Sequence, residues 1–148
     1  MFSSLCHTGL FGNNQFCMVG LVQSRGFTMK TSQPRVMEWA KSNFQPRFEH
    51  GDQAQAAHLC GTDDGSKLGA GFGRLTKASF EWTVQYDEII LVLEGEVTAI
   101  TETETLNAGR LDTIWLPAGT RVTYQAEDAL IFYAIQPADW AQPDSTEG

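Results

Sequence analysis

Residues 68–97 read LGAGFGRLTKASFEWTVQYDEIILVLEGEV. Within this stretch Glu88–Leu93 is a run of branched apolar residues closed by Glu94-Gly95, which predicts a strand ending in a turn. A strand exposed on one side would alternate polar and apolar residues. Ile89 to Leu93 are apolar at every position, so both faces of this strand need cover. Upstream, Leu68–Leu75 alternates glycine with apolar residues and Ser79–Val84 alternates polar with apolar. Downstream, the same reasoning predicts strands over Glu96–Thr101, Thr113–Leu116, Arg121–Ala126 and Ala129–Ile135, with Pro117-Ala118-Gly119 as a turn. Short strands separated by turn residues, with no long helical period, predict an all-β sandwich or barrel. Ala129–Ile135 is also continuously apolar, and a second copy of the chain is the expected cover, with an N-terminal arm as the alternative.

The remaining sequence sets the boundaries. At 148 residues one domain is expected, with 68–140 as the barrel. Residues 29–67 read as an irregular arm anchored by Trp39, Phe44 and Phe48, with a helical turn at Met37–Ser42. Residues 1–28 contain no Asp or Glu and differ in character from the rest of the chain. They are expected to be a disordered tail or a start placed too early, with Met29 as the true one. Residues 141–148 read as a polar tail. The net charge of −8 and scattered basic residues argue against nucleic-acid binding. Cys6, Cys17 and Cys60 are odd in number and form no CxxC pair, which favours a reducing cytoplasm over a disulfide framework or zinc knuckle. No apolar stretch approaches the roughly 18–20 residues of a membrane span. The chain has no GxSxG and no Walker A loop, and Gly69–Gly73 sits in a strand without a following helix.

Two segments resemble the cupin motifs. Glu88 and Gly95, with six residues between them, match the second half of the first motif, G-x5-H-x-H-x3/4-E-x6-G. Pro117-Ala118-Gly119 matches the centre of the second, G-x5-P-x-G-x2-H-x3-N. The resemblance implies a double-stranded β-helix, or jelly-roll barrel, with the motif glutamate pointing inward. The metal ligands are missing. Trp82 and Val84, or Glu81 and Thr83 in the longer register, stand where histidines belong, and Val122 and Ala126 replace the second motif's His and Asn. One carboxylate cannot supply the three or four ligands that a transition metal takes. The expectation is a barrel with no metal and no cofactor. A metal enzyme using Glu88 and His58 is kept as an alternative.

A narrower resemblance lies in Gly69–Phe72, Trp82-Thr83, Tyr86-Asp87-Glu88-Ile89, Phe132-Tyr133 and Pro137-Ala138-Asp139-Trp140. This set is similar to the cupin domain of the ethanolamine-utilisation EutQ family, over roughly residues 68–140. It implies a role in ethanolamine catabolism, alongside a bacterial microcompartment, and an acetate kinase-type activity. The residues themselves contain no nucleotide-binding signature from which that activity follows.

Glu88 is the candidate catalytic residue, because a buried carboxylate must be paired, hydrogen-bonded or protonated. Strand parity places Ile90 and Val92 on its face, and Val122 and Tyr124 together on another strand. Arg74, Trp82, Tyr86, Asp87 and Tyr124 are the candidate ligand-binding residues, with Arg74 or Tyr124 as the partner of Glu88. Trp82 also reads as a core plug, Tyr86 and Asp87 as a plain turn, and Tyr133 as core. The expected partners are a small-molecule ligand and a second subunit. A third reading is a non-catalytic interaction module with a filled barrel.

Overall fold

The structure is a computed structural model that describes residues 33–141. The expectations for residues 1–28 and for the tail from 142 onward lie outside the described residues. Eight strands run in chain order: β1 (Gln45–Pro46), β2 (Ala54–Cys60), β3 (Gly69–Thr83), β4 (Asp87–Glu94), β5 (Val97–Thr101), β6 (Thr105–Ala108), β7 (Thr113–Leu116) and β8 (Arg121–Gln136). Three short 3-10 turns, Trp39–Lys41, Phe48–His50 and Thr62–Asp64, complete the described elements. All pairings are antiparallel, in the order β1-β2-β3-β8-β4-β7, with β5 on β8 and β6 on β5. This is the all-β jelly-roll barrel that the motifs imply.

β3 and β8 form its spine. They run beside each other from Gly69 opposite Ile135 to Thr83 opposite Arg121. The sequence splits each of them into two strands, and the structure joins the halves. Between the pairs Thr76–Asp128 and Ala78–Ala126, Lys77 takes a left-handed backbone with φ 45°. The register continues unshifted past Lys77, and along the joined strand one half of β8 also pairs with β4 and the other with β5. Gly95, at φ 75°, turns β4 into β5 where a side chain would run into the Asp128 carbonyl.

Inside, Ile90 and Val92 of β4 meet Val97 and Ala99 of β5, Ile114 and Leu116 of β7, and Val122 of β8 in one buried cluster. The alternating glycines of β3 are slots in this wall. A Cβ on Gly73 would stand 2.8 Å from Ile131 Cγ1, and one on Gly71 would stand 2.6 Å from Tyr133 Cζ. The inward side chains of β8 therefore lie across the backbone of β3, which a larger residue there would prevent.

Outside, the arm covers part of the sheet. Trp39 packs edge-on against Phe72 at 5.0 Å and against Phe44 at 5.9 Å. The β4–β7 end carries no such cover from the described residues. Ile89 and Trp115 are register partners there, 44% and 58% exposed. One expectation needs correction, and one strand lies where none was assigned. The barrel begins before residue 68, because Ala54–Cys60, assigned to the arm, pairs along β3. Thr105–Ala108 is also a strand, paired with β5.

Candidate functional site

β4 aims Glu88 inward with Ile90 and Val92, the parity expected from its sequence. Glu88 is 8% exposed, the one buried charged residue among the described residues. The Tyr124 hydroxyl, from β8, donates a hydrogen bond to Glu88 Oε2 at 2.9 Å. Burial raises the Glu88 pKa above the ordinary carboxylate value, while the Tyr124 hydrogen bond and the positive charge of Arg47 oppose the rise. Burial and the neighbouring Glu88 push the Tyr124 pKa far up, so its hydroxyl keeps its proton.

Above this pair lies a cavity of about 90 Å³. Its wall includes Phe80, Trp82, Tyr86, Tyr133, His50 and Arg47. Tyr86, 4% exposed, holds the mouth together. Its ring lies 5.1 Å from that of Trp140, and it is hydrogen-bonded by Arg47. Trp140 also meets Trp82 edge-on at 5.9 Å, and the Arg47 guanidinium lies over the Trp140 ring at 5.8 Å. The mouth is thus framed by a residue before β2 and one after β8. Burial raises the pKa of Tyr86 and of Tyr133, so the cavity phenols stay neutral.

Four of the predicted residues meet at this cavity: Glu88, Trp82, Tyr86 and Tyr124. Two do not. Arg74 is not the partner of Glu88. It is exposed on the outer face of β3, over the Phe44 ring at 5.0 Å, because its register partner Leu130 also faces outward. Asp87 is exposed and points away from the cavity, since it neighbours an inward residue in a strand. It accepts a hydrogen bond from the Ala118 backbone N–H at 3.0 Å and so fastens the Pro117-Ala118-Gly119 turn to the start of β4. Sequence reasoning passes over Arg47 and His50, whose positions depend on the arm folding back. It assigns Tyr133 to the core, although Tyr133 faces the cavity. The glycine opposite Tyr133 in β3 was the available signal.

The donor set does not fit a resident transition metal. Val84 and Val122, at histidine positions of the motifs, are 0% and 1% exposed and offer no donor. His58 is exposed on β2 and does not line the cavity, which removes it as a ligand beside Glu88. Among the described residues no three His, Cys, Asp or Glu side chains come together.

The family model of the ethanolamine utilisation protein EutQ matches residues 27–142. The chain belongs to the EutQ family. A relative in Escherichia coli K12 named acetate kinase EutQ is 39% identical over 79 residues, which cover 53% of this chain and 34% of that protein. The chain thus spans about a third of the length of that relative. The crystal structure of an ethanolamine utilisation protein Q from Salmonella typhimurium LT2 superposes with a TM-score of 0.66 at 30% identity, covering 71% of this chain and 87% of that one. An RmlC-like cupin from Shewanella frigidimarina, 12% identical, shares the fold with a TM-score of 0.59 over 72% of this chain and 93% of its own.

Proposed function

We propose that this EutQ family member is a cytoplasmic, small-molecule-binding cupin of ethanolamine catabolism, working without a metal and alongside a bacterial microcompartment. The observation that carries the reading is the Glu88–Tyr124 pair. It occupies only one carboxyl oxygen, beneath an open cavity, at the place where a metal-binding cupin gathers its ligands. Glu88 has no second hydrogen-bond partner among the described residues, so its other oxygen is available to a ligand. The rival reading, a vestigial barrel serving only as an interaction module, calls for a filled interior. The cavity favours a ligand. The name of the E. coli relative supports an acetate kinase-type activity for the longer protein, in which a barrel of this kind would hold a small substrate.

Elemental analysis of protein purified without chelator tests the reading. Less than one-tenth of an equivalent of any transition metal is expected (roughly the adventitious level). A stoichiometric metal that disappears in Glu88→Gln would falsify it. In parallel, an acetate-dependent ATP-consumption assay reads the kinase-type activity, with Glu88→Gln as the control.

A further inference from the structure

The open oxygen of Glu88 points to a particular ligand class. A carboxylate withdrawn from water is costly until an opposite charge or a hydrogen-bond donor reaches it. Tyr124 supplies one donor and Arg74, on the outer face, supplies nothing. Arg47 acts on Glu88 only through its charge, while its guanidinium is engaged with Tyr86 and Trp140 at the mouth. Around the carboxyl, Phe80, Trp82, Tyr86, Tyr124 and Tyr133 line the cavity. Aromatic rings attract a cation through the negative potential of their faces, and a desolvated cation gains most from them. The phenols retain their hydroxyls, which accept from N–H and donate to a hydroxyl. A cavity of about 90 Å³, partly open to solvent, has room for a small ligand beside the carboxyl. The net charge of −8 draws cations toward the molecule.

Resting on the reading of the barrel as a ligand site, we propose that the cavity binds a small primary ammonium ion, its charge against Glu88 and its short carbon chain against the aromatic wall. Arg47 is then a like charge at the mouth that limits affinity and rejects larger cations.

Isothermal titration of the full chain with ethylammonium and ethanolamine, and separately with acetate, tests the proposal. Saturable binding of one ammonium ion per chain is expected. Glu88→Gln should weaken it by about tenfold or more, because a charged hydrogen bond becomes a neutral one. Arg47→Gln should strengthen it, because a like charge is removed. A His50→Gln background separates the contribution of the histidine at the cavity edge. The converse pattern, in which acetate binds, Arg47→Gln abolishes that binding and ammonium ions do not bind, overturns the proposal and leaves the small-molecule barrel standing. Ammonium binding that is indifferent to Glu88→Gln also overturns it. The metal-free reading is judged separately, by elemental analysis.

Discussion

Removing the Tyr124 hydroxyl tests the floor of the site. The bond to Glu88 Oε2 spans 2.9 Å between residues that are 7% and 8% exposed. At acid pH Glu88 is protonated, and a bond between neutral groups contributes about 0.5–1.5 kcal/mol. Above its raised pKa Glu88 is ionised in the same desolvated place, and the bond contributes about 1.5–3 kcal/mol. Tyr124→Phe is therefore expected to destabilise the fold by about 1 kcal/mol at pH values below the raised Glu88 pKa and by about 2 kcal/mol above it. The parent protein has its own pH dependence. Its folded-state Glu88 pKa lies above the unfolded value, so the unfolded chain releases the proton first. The stabilisation from Glu88 is fully present below the unfolded pKa and is lost as pH rises through the folded one, by at most about 1.4 kcal/mol per pH unit. Tyr124→Phe removes a group that lowers the folded value and so widens the window. Urea unfolding of the parent, Tyr124→Phe, Glu88→Gln and the double variant, across a pH series that spans the Glu88 titration, with the comparison made at its acid and alkaline ends, measures each of these quantities. The reasoning is refuted if Tyr124→Phe costs the same at both pH values, or if the difference between them survives in the Glu88→Gln background.

Two further outcomes are expected. Gly71→Ala should destabilise by about 2–3 kcal/mol and Gly73→Ala by less, because the new methyl at 71 meets the Ala57 carbonyl at 2.7 Å as well as the Tyr133 ring, while at 73 its near neighbours are the tip atoms of Ile131. Thermal melts of the two variants check the order. The uncovered Ile89–Trp115 patch is expected to be the centre of a homodimer interface, so sedimentation should find a dimer for the parent and a monomer for Trp115→Glu. A parent protein that sediments as a monomer at micromolar concentration would contradict this.

The strands that bury branched residues were legible in the sequence. EIILVL and TIWL fall within β4 and on β7, because β-branched and aromatic residues suit a pleated, packed surface. β2 was not legible, since AQAAHLC is mostly alanine and polar residues with weak strand preference. Its pairing is dictated by β3, not by its own composition. Joining the halves of β3 and of β8 turned on Lys77 adopting a left-handed backbone, which a lysine rarely does and no local pattern announces. In the site, parity along one strand correctly placed Glu88, Ile90 and Val92 inward, and Val122 with Tyr124. Parity cannot carry an argument from one strand to another without the register. Arg74 was misassigned for that reason, and Arg47 was missed because the arm returns to the barrel over a non-local path.

The pairing of β8 has a consequence for how the molecule is made. β8 is the last of the described strands, yet β3, β4 and β5 all hydrogen-bond to it. Until it has left the ribosome those three strands keep open edges, and the Glu88–Tyr124 pair has only one of its members. Completion of the barrel therefore waits until residues 121–136 are free to fold. A nascent chain halted before residue 121 presents apolar strands with no place to pair, which makes it a natural client for a chaperone.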